Sequence, residues 1–272
     1  MANYAHPETL VDTQWLSQHL DDPNIAIIEM DMNSEAYDNG HIPGSIFWNA
    51  FALTKPDLSI NLDKQAVEEF LAHSGITNNT TVIAVNGSFI ATSGLIFWLL
   101  KLFGHSDVRI LNGGRQKWVE EDYPLTTKAT VIEPASYQAK TLDESLRISL
   151  EEVKQSLNQD DCLLLDVRTP QEYCGEIFMM EPPKENERGG HIPGAINLNY
   201  QQFHNNDGTF KSAAELKAIF AEQGATADRF IIPYCAVGAR SGHTWFILKY
   251  LLDYPQVKNY DGSWNEWSRE LG

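Results

Sequence analysis

The chain has 272 residues, of which 43% are hydrophobic and 11% aromatic, and it carries a formal net charge of −17. This length allows two domains of ordinary size, and the apolar content is enough to give each a hydrophobic core. The acidic excess argues against binding to nucleic acid or to an anionic membrane surface, because both attract clusters of Lys and Arg.

Targeting and redox signals are weak. The sequence shows no amino-terminal basic and apolar leader and no apolar stretch of the roughly 18 residues that a membrane-spanning helix needs. Three cysteines without a regular spacing are typical of a reducing compartment rather than of a disulfide framework. We therefore expect a cytoplasmic protein.

In the first half, short apolar runs predict strands buried on both faces of a mostly parallel sheet, because they lack the alternation of half-exposed strands. The runs are residues 26–28, 82–85 and 108–111. Between them, residues 67–71 have helical spacing, and residues 95–103 are nearly all apolar, which predicts a buried helix. Strand and helix therefore alternate.

The next segment, residues 123–146, contains Pro, Thr, Ala and Lys without strong periodicity, which predicts a linker. Beyond it the alternation resumes. The apolar runs 163–165 and 231–234 predict strands, and residues 213–220 and 244–252 predict helices. The predicted organisation is a first domain at 1–125, a linker at 126–145 and a second domain at 146–272.

An internal repeat supports this division. The pentapeptide Gly-His-Ile-Pro-Gly occupies residues 40–44 and again 190–194, about 150 residues later. At nearly the same offset, residues 81–86 align with 230–235 and residues 111–118 with 260–267. An upstream match at a shorter offset locates an insertion of about 13 residues before the second pentapeptide. Its polar run, 181–188, predicts a surface loop.

Cys235 is the main candidate for chemistry, because it lies between an apolar strand and the start of a helix. Ligands bind at this edge of α/β sheets, and converging N–H groups lower a thiol pKa there. A lone buried cysteine is by default core filler. Small residues at Ala236, Gly238 and Ala239 favour an anion-binding loop instead. No metal-ligand spacing surrounds the thiol, so we predict a covalent nucleophile without a metal or cofactor.

Together these motifs resemble the two-domain rhodaneses, which comprise thiosulfate sulfurtransferases and related 3-mercaptopyruvate sulfurtransferases. The resemblance covers residues 4–267 and includes the tandem halves, both pentapeptides, the run 166–173, the cysteine loop and the run 260–264. It implies an α/β fold with two tandem rhodanese-like domains, each a mostly parallel sheet flanked by helices. In that family the second domain carries the cysteine, and here Asn86 replaces it in the first, which is expected to be catalytically silent.

The resemblance also implies the chemistry. Cys235 is expected to take the outer sulfur of a small anionic donor, hold it as a persulfide, and pass it to cyanide or a thiol. Arg188 precedes the second pentapeptide, where the family tends to place a substrate-binding arginine, although an exposed charge in a polar insertion is equally compatible. The predicted substrate-binding and persulfide-stabilising residues are Ala236, Val237, Gly238, Ala239, Arg240, Ser241 and Arg188.

Other functions remain open from the sequence alone. Phosphatases with a Cys-x5-Arg loop place a thiolate similarly, but only four residues separate Cys235 from Arg240, and the shorter ring favours sulfur over a tetrahedral phosphate. The loop and the residues after it most resemble bacterial thiosulfate sulfurtransferases, which ranks thiosulfate ahead of 3-mercaptopyruvate. An inert thiol would instead indicate a non-catalytic binding module.

Several neighbours of the motifs have predicted structural roles. His41 and His191 recur in both pentapeptides and are expected to stabilise turns. Arg168 is expected to pair with Asp166 or Glu172 rather than to bind a ligand.

Three further residues lie close to the cysteine loop in the sequence. Arg240 either contacts the donor or braces the loop by pairing with a carboxylate. His243 lies in the following helix and is not expected to reach the thiol, while Trp264 either closes the pocket or fills the core.

Overall fold

The computed structural model describes residues 3–157, 159–185 and 187–270. Asn186 of the predicted insertion and the outermost residues of the two predicted domains, 1, 2, 271 and 272, lie outside the described residues. Within the described chain, no helix is both long and apolar enough to cross a membrane.

The first half forms a five-stranded sheet in which every neighbouring pair of strands is parallel. Its strands are β1 (Leu10–Val11), β2 (Ile25–Asp31), β3 (Ile46–Asn49), β4 (Thr81–Asn86) and β5 (Val108–Leu111). Their order across the sheet is β1-β5-β4-β2-β3. The predicted apolar runs lie inside β2, β4 and β5, and nearly all of their side chains are buried.

The helices of the first half are α1 (Thr13–Ser17), α2 (Glu35–Asp38), α3 (Lys64–His73), α4 (Thr92–Leu102) and α5 (Gly114–Glu120). In α3 the carboxylate of Asp63 accepts the N–H of Ala66 and so caps the first turn. Ten of the eleven residues of α4 are buried, as expected for a helix that is apolar all round.

The second half forms a three-stranded parallel sheet in the order β7-β6-β8. Its strands are β6 (Cys162–Asp166), β7 (Ile196–Asn197) and β8 (Phe230–Tyr234). Isolated parallel bridges join Ile231 to Val257 and Arg147 to Asn259. These bridges stand where β5 and β1 lie in the first sheet, so both halves follow the same strand order.

The helices of the second half are α6 (Leu150–Ser156), α7 (Pro170–Cys174), α8 (Ala213–Glu222), α9 (Ala239–Phe246) and α10 (Ser263–Glu270). A π-helical turn, Ile247–Leu251, continues α9. Thr169 and Glu172 form a capping box at the start of α7, with Pro170 at its first position. This cap fixes the direction in which the Glu172 side chain leaves the helix.

The two halves pack through α4 and α9. A Cβ atom on Gly94 would overlap His243, and one on Gly242 would meet Trp98 at 3.5 Å. The two glycines are equivalent in the sequence repeat, so each helix presents its smallest residue to the other and the backbones approach closely. The side chains between the helices belong to one continuous core that contains Phe97 and Phe246.

These observations confirm the predicted fold class of two α/β units, each with a parallel sheet flanked by helices. Apart from a single bridge at Thr126, residues 126–143 of the predicted linker contain neither helix nor strand. The last two residues of that prediction, 144 and 145, begin a short 3-10 helix, Glu144–Leu146.

Candidate active site

A cavity of about 420 Å³ lies between the halves, at the carboxyl ends of the strands of both sheets. From the first half, residues that follow β2, β3 and β4 line it; from the second half, residues that follow β6, β7 and β8. Ligands of α/β proteins bind at this edge of a sheet. The thiol of Cys235 lies in the wall that the second half contributes.

Cys235 is 1% exposed, and donors surround its sulfur atom. The backbone N–H of Gly238 donates to Sγ at 3.2 Å, and the hydroxyl of Ser241 lies 3.6 Å away. Gly238 has a left-handed backbone, φ +93°, and a Cβ there would meet the carbonyl oxygen of Asp261 at 2.8 Å. Glycine is therefore required at this turn of the loop, which aims the N–H at the sulfur.

The electrostatic environment favours the thiolate form of Cys235. Burial alone would raise the pKa of a thiol, but the Arg240 guanidinium and hydrogen bonds from Ser241 and Val237 outweigh it and lower the pKa below its usual value. The contrast with Cys162 is informative, because burial raises the pKa of that thiol to about 11. A lowered pKa increases the fraction of nucleophilic thiolate at neutral pH.

Arg240 does not project freely into the cavity. Its two terminal nitrogens donate to both carboxylate oxygens of Glu172, at 2.6 and 2.7 Å. The side chain of Arg240 is 11% exposed and that of Glu172 is 1% exposed, so this is a buried bidentate ion pair. The ring of Tyr200 lies 5.7 Å from the guanidinium carbon. Of the two predicted roles for Arg240, the structure shows the pairing with a carboxylate.

The first turn of α10 donates hydrogen bonds to the cysteine loop. The N–H of Trp264 donates to the carbonyl of Cys235 at 3.0 Å, and that of Asn265 to the carbonyl of Ala236 at 2.9 Å. The hydroxyl of Ser263 accepts the N–H of Cys235 at 3.0 Å and lies 3.9 Å from Sγ. These bonds fix the loop carbonyls away from the cavity, leaving loop N–H groups directed toward the sulfur.

The structure brings together most of the predicted site residues. Five of the predicted residues line the cavity: Cys235, Ala236, Val237, Ala239 and Arg240. The other two loop residues, Gly238 and Ser241, contact the sulfur instead.

Arg188 is separate from this group. It is exposed, the cavity lining does not include it, and its carbonyl accepts the indole N–H of Trp264 at 3.0 Å. Of the two alternatives for Arg188, the structure shows an exposed charge in the polar insertion, outside the cavity lining.

The remaining predictions concern structural residues. Arg168 pairs with Asp166 at 2.6 Å, as predicted, and both are fully buried, whereas Glu172 pairs with Arg240 instead. Trp264 packs 5.1 Å from the Arg168 guanidinium and fills the core rather than closing the cavity.

The histidines also have structural positions. His41 and His191 each stack on a tyrosine and contact that tyrosine's carbonyl, at 3.0 and 2.9 Å. His243 contacts His204 at 3.0 Å rather than the thiol.

Sequence reasoning missed three features of the site. Ser263 was not identified, although the repeat aligns it with Gly114 and so marks a change of residue type. Glu172 was considered only as a partner of Arg168, and Tyr200 was not considered. No local signal in the sequence indicates the position of Tyr200.

Comparisons with known proteins identify the family. The family model for the rhodanese-like domain matches residues 12–121 and 149–270. A protein of Thermus thermophilus named sulfur carrier protein TtuD is 44% identical over 99% of this chain and 96% of its own length. A protein of Mycolicibacterium smegmatis, provisionally named a thiosulfate sulfurtransferase, is 39% identical over 98% of this chain and 97% of its own length.

The chain is also similar in fold to solved structures. The anaerobic ergothioneine biosynthesis enzyme of Chlorobium limicola superimposes with a TM-score of 0.87 at 25% identity, over 97% of this chain and 69% of that enzyme. A structure of EanB that carries a cysteine persulfide, with ergothioneine bound, has a TM-score of 0.88 at 25% identity over 98% of this chain and 70% of its own. The matched regions cover most of both halves, and the chain therefore belongs to the rhodanese family and to its sulfurtransferases.

Proposed function

We propose that the protein is a thiosulfate sulfurtransferase that carries sulfur as a persulfide on Cys235. The observation that carries this proposal is a buried thiol of lowered pKa, surrounded by hydrogen-bond donors and open to a cavity. The provisional names of several relatives support thiosulfate as the donor, and the name of the Thermus thermophilus relative supports a protein that holds and delivers sulfur.

The proposed reaction has two displacements. The Cys235 thiolate attacks the outer sulfur of thiosulfate, the sulfur–sulfur bond of the donor breaks, and its electron pair leaves with sulfite. The outer sulfur remains on Cys235 as a persulfide. An acceptor thiolate or cyanide then attacks that outer sulfur and releases the Cys235 thiolate. Dividing the transfer into two steps through a covalent intermediate predicts ping-pong kinetics.

The cysteine loop is suited to Cys235 both as a thiolate and as a persulfide. The N–H of Gly238 and the hydroxyl of Ser241 converge on Sγ, and α9 begins directly after Gly238. A helix amino end contributes roughly 0.3–1 kcal/mol to a nearby negative charge. These groups are fixed before the reaction, so negative charge can pass between Sγ and the outer sulfur without rearrangement of the loop.

The arrangement of Arg240 disfavours the phosphatase alternative. In a phosphatase loop the arginine binds phosphoryl oxygens through two N–H groups. Here both terminal nitrogens of Arg240 already donate to Glu172, and the loop between Cys235 and Arg240 contains four residues. A phosphoryl group would have to displace a buried carboxylate, whereas a persulfide requires no such displacement.

Intact mass spectrometry tests the proposal. The protein is incubated with thiosulfate or with 3-mercaptopyruvate, desalted, weighed, and then treated with cyanide. We expect a gain of one sulfur atom from thiosulfate and its complete loss to cyanide. Cys235→Ser should abolish both the adduct and turnover, because a hydroxyl cannot form a persulfide. Cys174→Ser, which alters an exposed thiol, is the matched control and should retain both.

Two outcomes would contradict the proposal. Turnover in Cys235→Ser near the parent level would exclude this thiol as the nucleophile. An adduct that forms from 3-mercaptopyruvate and not from thiosulfate would reassign the donor.

A further inference from the structure

The cavity beside Cys235 is larger and more apolar than the transfer of one sulfur atom requires. Most of its wall comes from the first half, which lacks the nucleophile. Apolar side chains there include Met30, Leu53, Leu58, Phe70 and Phe89. A thiosulfate or cyanide ion would occupy only the end near the sulfur. The remaining volume therefore calls for an occupant with an apolar body.

The charges in the cavity wall limit which acceptors could bind there. Among the described residues that line the cavity, Arg240 is the only cation, and Glu172 already neutralises it through two hydrogen bonds. The persulfide adds a negative charge beside Cys235. The part of the wall away from the sulfur therefore offers an acceptor apolar contacts and no free cation, so charged groups on the body of the acceptor would lose hydration without compensation.

The apolar region connects directly to the reacting sulfur. Phe89, from the loop after β4, packs edge-on against Tyr200 with ring centroids 6.0 Å apart. Tyr200 in turn faces Arg240, next to the thiol loop. One wall thus runs from the cysteine loop of the second half to the apolar side chains of the first half, and a molecule bound along it would present its end to Cys235.

We propose that this region is an acceptor subsite, and that the acceptor is a small organic thiol that carries a large apolar group and at most one negative charge. The inference rests on the proposed function, since it assigns the acceptor of the second displacement. The acceptor thiolate attacks the outer sulfur of the Cys235 persulfide, the sulfur–sulfur bond breaks toward Cys235, and the product is the organic hydropersulfide. No oxidant or reductant is consumed.

A homologous series of thiols provides the kinetic test. Protein persulfidated with thiosulfate is desalted and discharged by 3-mercapto-1-propanol, 6-mercapto-1-hexanol or 8-mercapto-1-octanol, with glutathione as the polar comparator. The three alcohols share a primary thiol and a hydroxyl and differ in methylene number. With rates normalised to thiolate concentration, each buried methylene should raise the second-order rate constant about three- to fourfold. Burial of three of the five added methylenes would give about a 30-fold rise from the shortest to the longest, which is the smallest increase we expect.

Leu58 offers a variant that should fold. It is half-buried with φ +68°, a left-handed conformation that Asn adopts more readily than Leu. Leu58→Asn should reduce the ratio between the longest and the shortest thiol at least threefold. The matched control is Leu125→Asn, because Leu125 has 41% of its surface exposed in the same half and lies outside the cavity lining. It should retain the parent ratio.

A second measurement does not depend on sulfur transfer. Unmodified protein is alkylated at Cys235 with iodoacetamide in the presence of 1-propanol or 1-octanol. Octanol should slow alkylation at concentrations at which propanol does not, and Leu58→Asn should weaken that protection. If no persulfide forms from thiosulfate, the proposed function fails, and this measurement alone decides whether the apolar subsite exists.

Three results would overturn the acceptor assignment. The first is a rate constant that does not change with chain length. The second is glutathione discharging the persulfide as fast as 8-mercapto-1-octanol after normalisation. The third is equal protection of Cys235 by the two alcohols, which would show that the apolar wall binds nothing that approaches the thiol.

Discussion

The loop after β4 and the loop after β8 occupy equivalent places in the two halves, yet different groups fill them. In the first half, the N–H and hydroxyl of Ser88 donate to the carboxylate of Asp31 at 2.7 and 2.8 Å. In the second half, the donors of the loop converge on the sulfur of Cys235. The position that aligns with Asp31 is Arg168, which turns away to Asp166. The loop after β4 thus donates to a carboxylate of its own half, whereas the loop after β8 donates to the sulfur of Cys235.

A second difference lies behind the loops. Gly114 and Ser263 align in the repeat and share one backbone conformation, with φ +55° at both. At Gly114 a Cβ atom would overlap the amide of Asn86. At Ser263 the side chain is present despite the unfavourable conformation, and its hydroxyl binds the N–H of Cys235. The second half therefore retains local backbone strain at Ser263 together with a hydrogen bond to the N–H of Cys235.

The prediction with the largest expected effect asks whether moving the cysteine to the first half also moves the capacity for sulfur transfer. We expect the double variant Asn86→Cys, Cys235→Ser to form no sulfur adduct with thiosulfate and to show no turnover, because Asp31 occupies the loop donors beside residue 86. Intact mass and cyanide assays measure this, with Cys235→Ser alone as the reference. A sulfur adduct on the introduced thiol would show that the first loop needs only a nucleophile.

Arg240→Ala should have the next largest effect, since it leaves the buried Glu172 carboxylate without its partner. Breaking a buried ion pair in this way destabilises by about 3–5 kcal/mol. The pKa of Cys235 should rise, and both half-reactions should slow together. Urea unfolding, the pH dependence of alkylation and rapid-mixing measurement of each half-reaction report these changes.

Arg188→Ala is the matched control for that variant. It removes an exposed arginine outside the cavity and should change neither stability nor either half-reaction. If Arg240→Ala slowed only persulfide formation while stability stayed at the parent level, the arginine would act on the donor instead of bracing the loop.

Two substitutions at Ser263 separate strain from hydrogen bonding. Both Ser263→Gly and Ser263→Ala leave the Cys235 N–H unpaired, so both should slow persulfide formation to a similar extent. Ser263→Gly should be more stable than Ser263→Ala by about 1 kcal/mol, because glycine accepts positive φ. Chemical denaturation decides the order of the two stabilities. The reciprocal variant, Gly114→Ser, should destabilise the first half through overlap with Asn86.

The helices after the two loops differ in a titratable residue. His243 of α9 aligns with Leu95 of α4 and contacts His204. Burial lowers the pKa of His204 to about 4 and that of His243 well below its ordinary value. Between pH 6.5 and 4 the unfolded chain then binds more protons than the folded one, so stability falls as pH falls, by up to about 1.4 kcal/mol per pH unit for each group.

Urea unfolding at pH 7.5, 6 and 5 measures this slope. His204→Gln should reduce it, whereas His73→Gln, at an exposed histidine, should leave it unchanged. An equal slope in His204→Gln and the parent would show that other groups determine the acid response.

Local patterns made the fold predictable and singled out a candidate nucleophile. The buried strands were found because residues between two helical layers must be apolar without alternation, and the halves were found because their motifs recur in one order. Cys235 could be identified because the strand, the loop of small residues and the helix are contiguous in sequence. The aligned residues Asp31 and Gly114 also differ in type from their counterparts in the second half, but only the contacts show what they do.

The sequence by itself determined two parallel α/β units, their order, and a single cysteine loop in the second. Only the tertiary structure decided what surrounds that loop. Arg240 and Glu172 are 68 residues apart, and the apolar wall opposite Cys235 comes from a half that ends more than a hundred residues earlier. The reason is physical: periodicity and capping act within a few residues, whereas the partner of a buried charge and the shape of a cavity depend on how distant segments pack together.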